Sequence, residues 1–313
     1  MDGRDKITLP VIVGPTASGK TALGIAVARA LDGEIISCDS MQIYRTMPIA
    51  TAQPTEQERK AAVHHMIDFA DPDEEYSVAR YCEDATRVIA DVNSRGKVPV
   101  LVGGTGLYAD SLVEGIRFCE GEKDDELRRT LNERAEAEGN EALLRELSDI
   151  DPAYAERLNL NDRKRIVRAL ELYYGTGVRM SEQLAESKRG ESPYDPIWIG
   201  ITFADRQKLY DRIDRRVDLM VSEGLLEEAE RVLKASSGTS AQAIGHKELI
   251  PYFNSQATLE ECLDRLKQQT RRYAKRQLSW FRRNQNIHWL YADRTDDICA
   301  EALAVIYERM KKV

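Results

Sequence analysis

The stretch LPVIVGPTASGKTALGIAVARAL, from Leu9 to Leu31, constrains the fold more than any other part of the sequence. An apolar run enters a glycine-bounded loop, and an apolar pattern with helical spacing follows it. This order of strand, loop and helix is the context in which G-x-x-x-x-G-K-[ST] indicates phosphate binding. The loop's backbone N–H groups can surround an anion, Lys20 adds a positive charge, and the Thr21 hydroxyl can bind Mg²⁺. The predicted phosphate site comprises Gly14, Pro15, Thr16, Ala17, Ser18, Gly19, Lys20 and Thr21, with Thr21 as the metal ligand.

Apolar strand candidates alternate with helical patterns in the first third of the chain. The candidates are LPVIVG, GEIISCDS, HHMIDF and KVPVLVGGTG, and SVARYCEDATRVIADVNSRG is typical of the helices between them. Such alternation predicts βαβ units and an α/β fold, a parallel sheet of the P-loop NTPase type flanked by helices. Three candidates end in polar or glycine-rich text, GPTASGK, CDSMQ and GGTG, so we expect these ends to meet in one cleft.

The character of the sequence changes after the fourth strand candidate. From about residue 120 to residue 188 the text is charged and helical in period, without a strand candidate. KRGESPYDP then indicates a linker, PIWIGITFA a further strand, and IHWLYAD a short strand before a final helix. We therefore predict a P-loop-like core domain of residues 1–119 and 194–313, with an inserted all-helical domain of residues 120–193.

Composition narrows the class of protein. Within the 313 residues, no apolar run approaches the ~18 residues of a membrane span, and MDGRDK lacks the apolar core of a secretory signal. The five cysteines, among them Cys119, are scattered and form no C-x-x-C pair, which argues against disulfides and a zinc site. A cytoplasmic location without membrane contact is expected.

The net charge of −8 conceals two basic clusters. NDRKRIVRALE carries four basic residues, and QQTRRYAKRQLSWFRRNQ carries six. On a helix, Arg272, Lys275, Arg276 and Arg283 share a face, and no acidic residue occurs from position 270 through position 286. A solvated charged face is the ordinary explanation, but this pattern favours a polyphosphate or RNA backbone as partner.

Polar residues after two strand candidates are the remaining candidates for chemistry. Asp39 follows the second candidate, where its carboxylate can bind Mg²⁺, act as a general base or cap the next segment. Gln42, close by, has an amide that can pair with a nucleobase edge. After the fourth candidate, two glycines and Thr105 stand where ATP-hydrolysing proteins often carry an acidic residue; a plain turn is the alternative. His64 and His65 are adjacent and would face opposite ways on a strand, which favours packing over metal binding.

These blocks together resemble one family, the tRNA dimethylallyltransferases, also called tRNA isopentenyltransferases. The matching segments are GPTASGKT (14–21), DSMQIYR (39–45), TAQP (51–54), HHMIDF (64–69), GGTGLY (103–108), NDRKRIVRALE (161–171), AIGHKEL (243–249) and TRRYAKRQLSWFRR (270–283). They run from the first strand to the basic helix, so the resemblance extends over nearly the whole chain. Their joint occurrence in this order is specific, although no single block is. The chain ends soon after the basic helix, without the zinc finger of eukaryotic relatives, so the bacterial type is expected.

The resemblance implies a function and a set of roles. The loop would hold the diphosphate of dimethylallyl diphosphate with Mg²⁺, and the prenyl group would pass to N6 of adenine 37, beside the anticodon, in tRNAs that read codons beginning with U. The base would be flipped into a channel through the protein. Asp39 would be the general base, and Thr105 and Arg216 would complete the catalytic set. Implied tRNA contacts are Asp39, Ser40, Met41, Gln42, Thr105, Arg128, Lys164, Arg165, Ile166, Val167 and Arg168, and the basic-face residues Arg272, Lys275 and Arg276 extend them.

Two departures and two alternative functions remain open. Gln53 stands where the family often has Lys, and His246 stands where Tyr is common. A small-molecule or nucleotide kinase would use the same phosphate loop, with the arginines of residues 161–168 as a lid. An RNA-binding module switched by a nucleotide would bind RNA without changing it covalently. The transferase requires tRNA and dimethylallyl diphosphate as partners and no other protein chain, so a monomer is expected.

Overall fold

The computed structural model describes residues 6–116, 124–187, 191–236 and 238–311. The chain divides into two compact units, one formed by Met1–Val113 with Ser192–Val313 and the other by Glu114–Glu191. The predicted domain boundary at 119/120 and Cys119 lie outside the described residues. None of the described helices is long and apolar enough to span a membrane.

The larger unit is built on a six-stranded sheet. Its strands are β1 (Ile7–Val13), β2 (Gly33–Cys38), β3 (His64–His65), β4 (Val98–Gly103), β5 (Tyr194–Thr202) and β6 (His288–Tyr291). They lie in the order β3-β2-β4-β1-β5-β6, and every pairing is parallel. The predicted α/β class with a parallel sheet is confirmed. Because β2, β4 and β1 are neighbours, the three polar strand ends meet at one edge of the sheet.

Helices alternate with strands as far as α4, and runs of consecutive helices follow before and after β5. In chain order they are α1 (Lys20–Ala30), α2 (Glu56–Ala61), α3 (Val78–Ser94), α4 (Gly106–Val113), α5 (Asp125–Ala137), α6 (Asn140–Ile150), α7 (Pro152–Ala155), α8 (Arg163–Thr176), α9 (Met180–Ser187), α10 (Arg206–Ser222), α11 (Leu225–Ala235), α12 (Ile250–Phe253), α13 (Leu259–Phe281) and α14 (Ile298–Met310). Two 3-10 helices, Ser240–Gln242 and Lys247–Leu249, lie between α11 and α12. Helices α5–α9 belong to the smaller unit.

The core of the larger unit lies against the central strands. β1 and β5 have apolar residues on both faces, since helices cover both sides of a parallel sheet. Ile12, Ile35, Val100 and Ile199 form one cluster with residues of α1 and α14, and all four are at most 2% exposed. Such continuous burial explains why the strand candidates contain uninterrupted apolar runs.

β3 is much shorter than the predicted strand HHMIDF. Only His64 and His65 pair with β2, because Met66 and Asp68 adopt left-handed backbone angles, with φ of 61° and 60°. The two histidines make separate contacts: Nδ1 of His64 pairs with the carbonyl of Ala62, and Nε2 of His65 lies 2.7 Å from Glu34 Oε2. Both contacts are structural, in agreement with the packing interpretation.

The smaller unit is helical throughout its described residues. Leu131, Leu143, Leu147, Ile166 and Leu170 form its core, each at most 1% exposed. The buried carboxylate of Asp151 accepts hydrogen bonds from the N–H groups of Tyr154 and Ser181, so it joins the start of α7 to the segment that begins α9.

Candidate active site

The glycine loop has the backbone geometry of an anion site. Gly14 and Gly19 have φ angles of 153° and 101°, and Ala17 has a φ of 62°. A Cβ at Gly14 would lie 2.2 Å from the carbonyl oxygen of Ile201, so no larger residue fits there. Helix α1 begins directly after the loop and has no acidic residue in its first turn. The N–H groups at this helix terminus therefore face an anion site with favourable dipole orientation.

Lys20 points back over the loop. Its Nζ donates a hydrogen bond of 2.7 Å to the carbonyl of Pro15. Burial lowers the pKa of Lys20 to about 7, an effect opposed by the negative charge of Asp39 and reinforced by Arg216. Burial thus brings the pKa of Lys20 close to neutral pH, and a bound anion would favour its ammonium form.

Helix α10 brings two arginines to the same loop. Nη1 of Arg216 donates to the Thr16 hydroxyl over 3.3 Å, and Nε of Arg212 donates to the carbonyl of Ala17 over 2.9 Å. Burial lowers the pKa of Arg216, although Asp39 opposes this shift. The sequence stretch DRIDRRVD thus delivers a guanidinium to the phosphate loop, where the resemblance places Arg216.

Asp39 lies directly after β2, at the neighbouring strand end. Its Oδ1 accepts hydrogen bonds from the N–H groups of Met41, at 2.9 Å, and Gln42, at 3.4 Å. Burial raises the pKa of Asp39, while these hydrogen bonds and the positive charges of Lys20 and Arg216 lower it. Part of the carboxylate therefore stabilises a local turn, as the capping alternative requires. No hydrogen-bond donor among the described residues reaches Oδ2, which leaves that oxygen able to accept a proton.

Thr105 connects the ends of β2 and β4. Its hydroxyl oxygen accepts from the N–H of Ser40 at 3.0 Å, and its own N–H donates to the carbonyl of Cys38 at 3.1 Å. Tyr273 of α13 lines the same cavity as Asp39. Burial raises the pKa of Tyr273, so its phenol stays protonated. Thr105 thus lies next to Ser40, the residue that follows Asp39.

Gln42 lines the cavity, but its amide already has partners. Nε2 donates to the carbonyls of Thr51 and Ala52 at 3.2 and 2.9 Å, and Oε1 accepts from the Ser37 hydroxyl at 3.2 Å. Pairing of this amide with a nucleobase would require an exchange of these bonds. In this structure Gln42 instead joins the end of β2 to the segment around Thr51.

Sequence reasoning missed Gln277. This buried side chain of α13 accepts from the N–H of Thr16 at 2.8 Å and donates to the carbonyl of Gly104 at 2.9 Å. A Cβ at Gly104 would lie 2.2 Å from Gln277 Nε2, which explains the second glycine of GGTG. The sequence carries only a partial signal: Gln277 is an uncharged polar residue on the face of α13 opposite its exposed basic residues, which indicates burial but does not identify its partners.

The strand ends enclose a cavity of about 260 Å³. This volume is close to the lower end, roughly 300 Å³, of the range for small-molecule sites. Polar groups, including Thr16, Lys20, Asp39 and Arg216, line one part of it. Another part of the wall is aliphatic and consists of Ile213, Val217, Met220, Ile244 and Leu266. An adjoining cavity also contacts Lys20 and Thr21 and adds Arg212 and Arg215. The arrangement suits a ligand with an anionic group and a short apolar group.

Helix α13 carries the predicted basic face. Arg272, Lys275 and Arg276 are exposed, and Arg276 also lines the cavity, with its guanidinium 5.6 Å from the Tyr273 ring centre. Although no acidic residue occurs from position 270 through position 286, a neighbouring helix supplies one negative charge, because Asp214 of α10 pairs with Arg271.

The predicted RNA contacts of the smaller unit fall into two groups. Lys164 and Arg165 are exposed on α8. The buried carboxylate of Glu171 holds Arg128 and Arg168, with nitrogen–oxygen distances of 2.9 and 3.1 Å. The side chains of Ile166 and Val167, by contrast, are 1% and 4% exposed and pack in the core of the unit. Their inclusion among the predicted contacts cannot rest on their side chains, because burial removes them from the surface.

Gln53, the first departure from the family pattern, has a structural role here. Its Nε2 donates to the carbonyls of Gln42 and Tyr44 at 3.0 and 2.9 Å, and its Oε1 accepts from Arg59 at 2.9 Å. A buried amide thus stabilises the segment after Asp39, a task that needs no positive charge.

Comparison with known proteins gives a consistent result. The IPP transferase family model matches residues 42–284, and the isopentenyl transferase model matches residues 7–70. A tRNA dimethylallyltransferase of Acetivibrio thermocellus is 46% identical over 289 residues, which cover 91% of this chain and 92% of the relative. The crystal structure of a tRNA isopentenylpyrophosphate transferase from Bacillus halodurans has a TM-score of 0.72 and 41% identity, covering 98% of this chain and 99% of its own. A eukaryotic dimethylallyltransferase, captured in crystals acting on tRNA, has a TM-score of 0.79 and 30% identity, covering 96% of this chain and 78% of its own.

Proposed function

The chain belongs to the IPP transferase family of tRNA dimethylallyltransferases, and from this premise we propose that it prenylates tRNA. It transfers the dimethylallyl group of dimethylallyl diphosphate to N6 of adenine 37, beside the anticodon, in tRNAs that read codons beginning with U, and it releases diphosphate. The observation that carries the proposal is the single cavity in which the phosphate loop, Asp39 and an aliphatic wall meet.

The loop residues 14–21 bind the diphosphate of the donor. In the transfer step the bond between the allylic carbon and the diphosphate oxygen breaks, and negative charge accumulates on the leaving group. Lys20 and Arg216 lie at the loop beside that position, so they stabilise the charge once Lys20 exchanges its hydrogen bond to the Pro15 carbonyl for one to the diphosphate. The aliphatic wall formed by Ile213, Val217 and Met220 accommodates the prenyl tail.

Asp39 acts on the acceptor. The new bond forms between the allylic carbon and N6 of the adenine, and the proton leaving N6 passes to the free Oδ2 of Asp39. An aryl amine is a poor nucleophile, and a carboxylate whose pKa is raised by burial is a better base than an exposed one. Thr105 holds the Ser40 backbone beside Asp39 and so keeps the base in place.

The donor set of the loop fits Mg²⁺. The Thr21 hydroxyl lies in both adjoining cavities and is an oxygen ligand of the kind that Mg²⁺ prefers, with diphosphate oxygens supplying others. Bound there, Mg²⁺ would neutralise part of the leaving-group charge.

RNA contacts extend from the cavity to the basic surfaces. Ser40, Met41 and Gln42 line the cavity around the flipped base, and Thr105 holds Ser40 in place there. The exposed basic residues of α13 bind the RNA backbone near it. The predicted helical domain 120–193 contributes Arg128 and the segment Lys164–Arg168. The protein acts as a monomer in the cytoplasm, since one chain carries both substrate sites.

The decisive experiment supplies unmodified tRNA and Mg²⁺ with either dimethylallyl diphosphate or ATP. Mass spectrometry of the digested RNA should reveal a five-carbon addition on adenosine with the allylic donor alone. ATP turnover without such an addition would refute the proposal in favour of a kinase.

The role of Asp39 has its own test. Asp39→Asn keeps the hydrogen bonds that Oδ1 accepts but cannot take up the proton, so we expect turnover to fall by about 10²- to 10⁴-fold with tRNA affinity retained. Equal losses of turnover and affinity would make Asp39 a binding residue instead.

A further inference from the structure

A buried carboxylate lies behind the cavity wall, away from the reacting groups. Glu228, in the first turn of α11, is 1% exposed, and its partner His246 is 0% exposed. Oε2 of Glu228 accepts from the N–H of Ile49 at 2.8 Å, and Oε1 accepts from the N–H of Ala50 at 2.8 Å. Nε2 of His246 lies 3.1 Å from the same Oε1. Since a carboxylate only accepts, Nε2 carries the proton, and three donors converge on one buried group.

The segment Ile49–Ala52, whose first two N–H groups bind Glu228, forms part of the cavity. Ala50, Thr51 and Ala52 line it directly. The segment has a specific shape, because Thr46 and Ala52 adopt left-handed backbone angles, with φ of 64° and 48°, that non-glycine residues rarely occupy. Such angles persist only where the surroundings hold them. Glu228 supplies that restraint through the two N–H groups between them.

From this segment, contacts lead to the catalytic base. The carbonyls of Thr51 and Ala52 hold the Gln42 amide, and the N–H of Gln42 donates to Asp39 Oδ1. The chain of contacts therefore runs from Glu228 through the Ile49–Ala52 segment and Gln42 to Asp39. Glu228 is buried and does not line the cavity, so it acts on the site only through the segment that it orients.

We propose that Glu228, held by His246, is a positioning residue for the acceptor side of the active site. This inference rests on the proposed function and deepens it. His246, which departs from the tyrosine common in the family, satisfies Glu228 by donating one hydrogen bond from inside the core. An apolar residue of similar size at position 228 would leave the Ile49 and Ala50 N–H groups without acceptors, so the carboxylate is required by the backbone that it holds.

Glu228→Gln tests the proposal, with Glu34→Gln as its matched control. The two backbone N–H groups donate to different carboxylate oxygens, and the amide replaces one of these oxygens by an NH₂ group, so one N–H loses its acceptor and faces a donor. Glu34 is also buried, at 4% exposure, and also pairs with a histidine, His65, but it lies near the start of β2, at the opposite end from Asp39. Both variants should lose stability to urea. Only Glu228→Gln should lower kcat/KM for tRNA, by about 10- to 100-fold, with the KM for dimethylallyl diphosphate changed less than about twofold.

A second measurement is independent of activity. Hydrogen exchange followed by mass spectrometry should show faster exchange in the peptide covering residues 47–53 of Glu228→Gln, and no such change in Glu34→Gln. If Glu228→Gln fails to fold, two variants of His246 replace it. His246→Phe removes one donor to Glu228 and His246→Gln restores a donor, so activity should be lower in His246→Phe than in His246→Gln.

Several outcomes would overturn the positioning role. Equal changes in KM for both substrates, or faster exchange throughout the unit, would make Glu228 a general stabilising residue. Unchanged exchange in residues 47–53 would refute the restraint of this segment by Glu228, and it would leave the proposed function unaffected. Absence of prenyl transfer by the wild-type chain would refute the proposed function. The exchange data would still decide whether Glu228 restrains residues 47–53.

Discussion

Raising the pH above neutrality should weaken binding of dimethylallyl diphosphate through deprotonation of Lys20. Burial holds the pKa of Lys20 at about 7 before the anion binds, so the positive charge is present below that pH and is lost above it. If only the ammonium form binds, the affinity is divided by 1 + 10^(pH−7). This factor is about 1.1 at pH 6 and about 11 at pH 8, a tenfold loss worth about 1.4 kcal/mol.

The assay must separate Lys20 from the ionisation of the ligand itself. Isothermal titration of dimethylallyl diphosphate between pH 6 and pH 9 would be carried out on the wild-type chain and on Lys20→Arg, whose guanidinium stays charged throughout. The ratio of the wild-type affinity to that of Lys20→Arg cancels the ligand's own titration. It should fall about fivefold from pH 7 to pH 8 and about ninefold from pH 8 to pH 9. A constant ratio across the range would show that Lys20 remains protonated, and the argument from burial would be refuted.

Two further predictions concern the support of the site and its RNA surface. Gln277→Leu leaves the Thr16 N–H and the Gly104 carbonyl without partners, so the free energy of unfolding in urea should fall by about 2–4 kcal/mol; a loss below about 1 kcal/mol would contradict this. Replacing Arg272 and Lys275 by Ala should weaken tRNA binding and reduce the slope of log affinity against log salt by about 1–2, as expected for phosphate contacts in filter-binding assays. An unchanged slope would mean that neither side chain binds a phosphate.

Most of the fold could be predicted because its signals are local. The alternation of apolar runs with helical periods gave the class of sheet, and five of the six strand candidates became strands of four or more residues. The exception was HHMIDF. Its apolar pattern does not reveal the left-handed backbone angles at Met66 and Asp68, which end β3. Backbone reversals of this kind depend on tertiary contacts, so apolar pattern alone does not reveal them.

The candidate site was also only partly predictable from the sequence. The glycine loop, Asp39 and Thr105 were predictable because each directly follows a strand, and parallel strand ends meet at one edge of the sheet. Gln277 was not, since its two partners lie 261 and 173 residues away in the sequence. The engagement of the Gln42 amide was equally hidden, because it depends on the conformation of the segment around Thr51.

The charges of the site explain why one carboxylate beside a phosphate loop suits alkyl transfer. Before reaction, the negative charge of Asp39 opposes the effect of burial on the pKa values of Lys20 and Arg216, so it helps keep both side chains cationic in a buried site. When Asp39 takes the N6 proton, that negative charge disappears as the charge of the departing diphosphate grows. Lys20 and Arg216 then exchange one anionic partner for a stronger one, and the site never holds uncompensated cations. Proton uptake and leaving-group stabilisation are in this way coupled through the same two side chains, so we expect substitutions of Asp39 and Lys20 to be strongly non-additive.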